Sequence, residues 1–333
     1  ANGREAPWHI DYIGVGNEPW GCGGRMRAEW YADLYRQYVG FIDPGEDTVM
    51  VAAGPNAEDL DWTRTLMSVA QGNFDALSLH YYTLPTGDWA SKGPAIGFDE
   101  AQWASTFEQT YRIEAMIEAH DAVMDESDPE GKTVLAVDEW GTWYDPTPGS
   151  PGGWLQQQNS LRDGLLAAVN FNIFHRHADR VRLGNIAQMV NVLQAMILTD
   201  GPDMVLTPTY YVHQLYLPMQ DATLVPVSFD PGEYTFGDTT LPGVDAVAFR
   251  STQGVLHMAL VNLDPHEERE ISIELNAEMA KAQGKVLTGA NVNSVNTFAQ
   301  PDTVTPRSIA GRVEGSRVSV KLPPKSVAVL AIE

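Results

Sequence analysis

Along the first two thirds of the chain, short apolar runs alternate with stretches whose apolar residues recur every three or four positions. The runs at 12–16, 49–53, 74–80 and 133–137, with a weaker one at 181–187, predict strands. The stretches at 28–41, 61–70, 101–123 and 159–174 predict helices. In the first of these, Trp30, Tyr31, Leu34, Tyr35 and Tyr38 form the repeating stripe. Strand and helix in alternation specify a parallel sheet with right-handed crossovers. After about Leu217 the period changes to two, as in Ile271, Ile273 and Leu275, and again in Val318, Val320 and Leu322. Segments at 244–250, 255–263, 270–275, 317–322 and 327–332, with turn residues between them, predict an antiparallel β-sandwich. The expected organisation is a βα domain over 1–217 and a sandwich over 218–333.

About five βα units occupy the first region, whereas a closed (β/α)8 barrel needs eight. A barrel reading therefore leaves about three units unaccounted for, on the order of 120 residues. The chain is then expected to start inside a barrel whose first part is a preceding segment or a separate chain. A five-stranded doubly wound sheet is the competing architecture. It calls for a Gly-rich phosphate turn after its first strand. The sequence there is Gly14-Val15-Gly16-Asn17-Glu18-Pro19, with an acid and a proline where a phosphate needs bare backbone.

Composition narrows the ligand. The 333 residues carry 21 Lys+Arg against 44 Asp+Glu, a net charge of −23. That charge repels phosphate backbones and anionic lipid, so neither nucleic acid nor a membrane surface is an expected partner. No run approaches the roughly 20 apolar residues of a membrane span. Neutral ligands such as sugars remain. Six lysines against 15 arginines on an acidic chain fit a salt-rich setting as well as simple solubility. Cys22 is the single cysteine, so no disulfide within the chain can form.

Two of the expected strands end in a carboxylate: Asn17-Glu18 after the first and Asp138-Glu139 after the fourth. In a parallel barrel the C-terminal strand ends open on one face, and reacting groups gather there. The two glutamates are 139 − 18 = 121 residues apart, or three βα steps, which sets them across a central pocket. Glycoside hydrolysis requires two facing carboxyl groups, one delivering a proton and the other ionised. Solvated rim acids or helix caps are the ordinary alternative. Against it stand Trp20 beside the first glutamate and Trp140, Trp143 and Tyr144 beside the second, together with the sugar-binding amide that Asn17 offers.

The segments Gly16-Asn17-Glu18-Pro19-Trp20-Gly21-Cys22-Gly23-Gly24, Leu77-Ser78-Leu79-His80-Tyr81-Tyr82 and Asp138-Glu139-Trp140-Gly141-Thr142-Trp143-Tyr144 resemble glycoside hydrolase family 51, the α-L-arabinofuranosidases. Later stretches agree, among them Ala187-Gln188-Met189-Val190-Asn191-Val192 and Val292-Asn293-Ser294-Val295-Asn296-Thr297. The resemblance implies a retaining double displacement in a (β/α)8 barrel followed by a β-sandwich. It implies Glu18 as acid/base, Glu139 as nucleophile, Asn17 on the 2-hydroxyl, Tyr82 donating to the nucleophile, Gln188 on the sugar and Trp143 lining the site. His80 is expected either to hold a glutamate in place or to touch ligand. The acid/base role predicts a raised pKa for Glu18 and an ionised Glu139.

The implied activity is exo-acting hydrolysis of terminal arabinofuranosyl groups from arabinoxylan, arabinan or their oligosaccharides, without cofactor or metal. A β-1,4-glucan or xylan hydrolase on the same barrel, and a non-catalytic carbohydrate-binding fragment, are the alternatives. The family also implies a homo-oligomer and favours a cytoplasmic location. It departs from this chain in starting well before its Gly-Asn-Glu segment.

Three weaker features are read as structural. His175-Arg176-His177 with Asp179 is a helix C-terminus where histidine is favoured, rather than a metal site. Asp43, Glu46 and Asp47 make a solvated acidic turn with too few oxygens for calcium. Cys22 is expected to be a small packing residue in a Gly-rich loop.

Overall fold

The computed structural model describes residues 3, 5, 8–45 and 47–333, so Glu46 of the acidic turn lies outside the described residues. The chain divides into two compact units. The first comprises residues up to Tyr81, with Glu114–Glu139 and His177–Asn185. The second comprises Tyr82–Ile113, Trp140–Arg176 and Ile186–Glu333.

The first unit is built on a parallel sheet, β1 (Tyr12–Val15), β2 (Val49–Ala52), β3 (Ala76–Thr83), β4 (Val134–Thr142) and β5 (Val181–Ile186), in that spatial order. Helices α1 (Ala28–Val39) and α2 (Leu60–Val69) make the first two crossovers, and α3 (Glu100–Asp125) begins in the second unit and ends in the first. The sheet is the curled half-barrel that the count of βα units calls for. Val51, Ala76 and Ala136 are buried on one face, with Tyr12, Val49, Val134 and Leu183 against them. The aromatic stripe of α1 supplies more than packing. Tyr31 stacks on Trp62 of α2 at 5.8 Å between ring centroids. Its hydroxyl donates to Val15 O at 2.5 Å and accepts from Ala53 N at 2.6 Å. One tyrosine thus ties the C-terminal ends of β1 and β2, just ahead of the turn that carries Glu18. At the far end Arg180 is buried. It donates to the carboxylates of Asp121, Asp125 and Asp128 and to Thr133 O, joining the end of α3 to the starts of β4 and β5.

The second unit holds α4 (Leu161–Arg176), the hairpin β6 (Ile197–Asp200) and β7 (Asp203–Leu206), α5 (Pro208–Tyr216), and ten further strands from β8 (Thr223–Val225) to β17 (Ser326–Ile332). Eight of the ten, among them β12 (Leu256–Asn262) and β13 (Arg269–Glu274), make one antiparallel sheet, in the order β13-β16-β15-β14-β17-β12-β11-β8. β15 (Arg307–Glu314) pairs with β14 (Ala282–Leu287) up to Gly311 and with β16 (Arg317–Leu322) from Arg312. The strand therefore changes layer at Gly311, where a Cβ would lie 2.8 Å from the Val318 side chain. The folded-over sheet encloses Ala246, Leu260, Val318, Leu322, Ala328 and Leu330, the sandwich that the period-two pattern predicts. Asp245 of β11 (Val244–Arg250) is buried, accepting from Asn172 at 2.7 Å, Arg176 at 2.9 Å and Tyr111 at 3.0 Å. That carboxylate fastens α3 and α4 to the sheet.

Three of the five predicted parallel strands lie where the periodicity placed them. β3 runs three residues past the predicted end, to Thr83, where Tyr81 and Tyr82 are buried rather than turned to solvent, and β4 runs five past it, to Thr142, through the buried Trp140. The β6–β7 hairpin, α5, β8, β14, β15 and the short strands β9 (Glu233–Phe236) and β10 (Thr239–Pro242) escaped the pattern. β14 and β15 each contain a glycine where backbones approach, and β15 alternates only between exposed and partly buried positions. α5 is short and declared by its cap alone: Thr207 Oγ1 accepts from Tyr210 N and Pro208 stands at its start. Among the described residues no helix is long and apolar enough to cross a membrane.

Candidate active site: a carboxylate and histidine cluster, and an aromatic cluster

Glu18 sits in a tight turn after β1. Its own φ is +42°, a left-handed conformation uncommon outside glycine and a form of strain that collects at functional sites. Glu18 O accepts from Gly21 N at 2.8 Å and from Gly23 N at 3.0 Å. A Cβ at Gly23 would fall 1.8 Å from Asn17 O, so the turn closes only with glycine there. Trp20 donates its indole N–H to Gly54 O at 3.1 Å, anchoring the turn to the end of β2.

Within the first unit three other strand-end groups converge on this carboxylate. His80 of β3 is buried. Its Nδ1 lies 3.0 Å from Glu18 Oε1 and 3.4 Å from Glu139 Oε2, and its Nε2 lies 3.3 Å from Asp138 Oδ1. Ser78, on the same side of β3 two residues earlier, donates to that same Asp138 oxygen at 2.7 Å. Glu18, His80 and Glu139 each bring a ligating atom within 4.8 Å of the others. The buried run of β4 is interrupted at Asp138 and Glu139, both partly exposed, and both neighbours reach one imidazole. Glu18, Glu139 and His80 are thus brought together as the sequence pairing of strand ends anticipates.

The charge state is less expected. Burial lowers the pKa of His80, but hydrogen bonds to Asp138 and Glu18 and the charges of Asp138 and Glu139 outweigh it, raising His80 to about 9. Glu18 moves the opposite way. The His80 hydrogen bond lowers its pKa against the raising effect of burial, and the His80 charge and the Cys22 thiol lower it further. The expectation of a raised Glu18 pKa is therefore corrected. A carboxylate facing a second carboxylate is raised only if no cation stands between them, and here one does. A metal ion bridging Glu18, His80 and Glu139 would have to displace the proton that His80 Nδ1 presents to both glutamates. Cys22 is more than a packing residue: it is exposed, and its Sγ lies 3.4 Å from Glu18 Oε2.

The second unit carries the other candidates. Tyr82, two residues beyond His80 on β3, meets Trp143 edge-on at 4.8 Å and Trp89 at 6.4 Å. Trp89 and Trp143 meet at 5.2 Å. Tyr82, Leu84 and Leu193 form a small apolar cluster against which Trp143, Leu155, Ala187 and Val192 pack. Gln188 follows Ala187 in the loop after β5 and is exposed. Asn17 is exposed in the turn. Of the aromatics beside Glu139, Trp140 is fully buried against Phe171, Phe174 and His213, and Tyr144 is buried with its hydroxyl on Asp163. Those two are core residues, and Trp143 alone of the three is partly exposed. Sequence reasoning missed Asp138, Ser78 and Trp89. The adjacent Asp-Glu pair and the Ser-x-His spacing on one strand face were the available signals.

A curled parallel sheet with two carboxylates at its strand ends, followed by an antiparallel sandwich, defines the C-terminal part of a barrel-type glycoside hydrolase. Residues 138–326 match the family described as the α-L-arabinofuranosidase C-terminal domain, and the chain belongs to that family, the C-terminal part of glycoside hydrolase family 51. It is 42% identical, over all of its length and 65% of the relative's, to an intracellular exo-α-L-arabinofuranosidase of Bacteroides ovatus. It is 25% identical to an intracellular exo-α-(1→5)-L-arabinofuranosidase of Bifidobacterium longum, covering 61% of that protein. The chain thus spans less than two thirds of the length of these two relatives. The crystal structure of the family 51 arabinofuranosidase from Xanthomonas axonopodis pv. citri superposes with a TM-score of 0.95 at 47% identity, covering all of this chain and 68% of that one. The arabinose complex of the Thermotoga maritima enzyme superposes with a TM-score of 0.76 at 25% identity, covering 99% and 67%.

Proposed function

We propose that this chain carries both reacting carboxylates of an exo-acting, retaining α-L-arabinofuranosidase that removes terminal arabinofuranosyl groups from arabinoxylan, arabinan or their oligosaccharides. The observation that carries the reading is the approach of Glu18 and Glu139, with ligating oxygens within 4.8 Å. Retaining glycosidases hold their carboxyl groups about 5–5.5 Å apart, whereas inverting ones leave about 6.5–9.5 Å for a water molecule. Glu139 attacks the anomeric carbon as the glycosidic C–O bond breaks, and the leaving oxygen takes a proton delivered through Glu18. Water then cleaves the glycosyl–Glu139 ester as Glu18 takes back a proton. By resemblance to family 51, Asn17 and Gln188 are assigned amide roles toward the sugar hydroxyls, Tyr82 a donor role toward the nucleophile and Trp143 a ring face. The barrel strands preceding Glu18 in the longer relatives complete the pocket. The protein acts inside the cell, as the names of the two relatives suggest, and as a homo-oligomer.

A panel of aryl glycosides tests this reading in the full-length protein. Cleavage of the α-L-arabinofuranoside, with first-formed arabinose of retained configuration, is expected. Preference for the glucoside, xyloside or cellobioside would favour a glucan or xylan hydrolase, inverted product would remove the mechanism, and no turnover would leave a binding role. Light scattering reporting a monomer at high and low salt would remove the oligomer.

A further inference from the structure

Both nitrogens of His80 face carboxylate oxygens: Nδ1 faces Glu18 and Glu139, and Nε2 faces Asp138. A neutral imidazole has one N–H and one lone pair, so either tautomer would turn a lone pair onto a carboxylate. Only the doubly protonated ring satisfies both sides. Asp138 faces the Nε2 side of the ring, and the two glutamates face the Nδ1 side. It is itself oriented by Ser78, which donates to the oxygen that faces His80.

We infer that Asp138, oriented by Ser78, is a positioning residue for the hydrolysis proposed above: it keeps His80 protonated on Nδ1, so that His80 and Glu18 hold the transferable proton as a pair. The inference rests on that reading of Glu18 as acid/base. In the first step the proton on His80 Nδ1 passes to Glu18 and from Glu18 to the leaving oxygen, so Glu18 ends the step as a carboxylate. His80 is left neutral, with its remaining N–H on Nε2 directed at Asp138. In the second step water gives a hydroxyl group to the anomeric carbon and a proton to Glu18, which returns it to Nδ1. The bond to Glu139 breaks and all groups return to their starting state. Asp138 fixes which nitrogen gives and takes the proton, as a buried aspartate does for the histidine of a serine-protease triad. The arrangement also explains how a glutamate whose pKa is lowered in the resting state still serves as proton donor. The carboxyl groups facing the ring are Glu18, Asp138 and Glu139, and the ring is the cation between them.

The test is the pH dependence of kcat/KM for Asp138→Asn and Ser78→Ala in the full-length protein, with aryl arabinofuranosides of good and poor leaving groups. Asp138→Asn should move the alkaline limb down by about one pH unit or more, since loss of an opposite charge at this range shifts a pKa by about 1–3 units. Its activity should fall at least about tenfold more on the poor leaving group than on the good one. Ser78→Ala should move the same limb in the same direction by less. An unmoved alkaline limb, or an equal fall on both substrates, would overturn the proposal. Nitrogen-15 NMR of His80 in the unsubstituted protein is independent of how either variant folds. Both nitrogens should be protonated at neutral pH, and a single protonated nitrogen would also overturn it. If no arabinofuranoside is cleaved by the unsubstituted protein, the functional reading fails, while the NMR result still decides the state of His80.

Discussion

Two histidine environments, one in each unit, behave in opposite ways. His80 in the first unit is surrounded by three carboxylates and is raised to about 9. His175 in the second, in the last turn of α4, is stacked between Tyr216 at 6.0 Å and Phe249 at 6.1 Å, and burial pushes it down to about 4. His213, stacked on Trp140, is also lowered by burial. Burial disfavours the charged ring in every case, and its partners decide the outcome. Carboxylates on both nitrogens overcome burial, whereas at His175 and His213 a single backbone hydrogen bond opposes it and is outweighed. The proposed chemistry thus coincides with the cluster that holds a cation, whereas His175 and His213 pack against aromatic rings.

The largest effect expected from breaking the charged cluster is on turnover. Glu139→Ala should abolish it, by at least about 10⁴-fold, since no covalent intermediate can form. Glu18→Ala should lose about 10²–10⁴-fold on substrates whose leaving group needs a proton. It should spare the first step with good leaving groups, and azide should restart the stalled enzyme with retained configuration. Azide rescue of Glu139→Ala with retention would reverse the two roles.

The histidines can be compared directly by stability. His80→Leu leaves three carboxylates facing one another without their cation and should cost about 3 kcal/mol, as loss of one partner of a buried ion pair does. His175→Phe replaces one stacked ring with another and should change stability by less than about 1 kcal/mol. Chemical denaturation at pH 7 measures both, and equal costs would erase the distinction drawn between the two sites.

The same pair predicts opposite pH windows. His80 has a folded pKa above its unfolded value, so its contribution is complete below about pH 6.5 and is lost as pH rises through about 9. His175 has a folded pKa below its unfolded value. The unfolded state binds the extra proton between about pH 6.5 and 4, so stability falls as pH falls through that window, by up to roughly 3 kcal/mol. Denaturation midpoints across pH should show the acid slope reduced in His175→Phe and the alkaline slope reduced in His80→Leu. The smallest effect is at Cys22. Cys22→Ala removes one hydrogen bond that lowers Glu18 and should change kcat/KM by less than about threefold.

Much of this protein was legible in the chain itself. Alternating apolar runs and helical stripes fix the parallel sheet, because a strand buried on both faces and a crossover helix leave different periods. Glu18 and Glu139 could be paired from sequence because C-terminal strand ends of a parallel sheet open on one face, whatever the loops do. The apolar period of two in the last third likewise declares the sandwich, although strands whose glycines admit a neighbouring backbone, such as β14 and β15, stay silent.

Only the tertiary structure decided which aromatics are core and which can meet a ligand. Trp140 and Trp143 are three residues apart on and just beyond one strand, and only the packing of Phe171 and Phe174 draws Trp140 inward. It also decided the charge of the site. Residue type gives His80 an ordinary pKa, and the groups that shift it come from two other strand ends brought within 3.4 Å of the ring. Periodicity records which face a residue takes, because that is a local property of one element. Protonation depends on distances between elements that are far apart in sequence, and those exist only once the chain has folded.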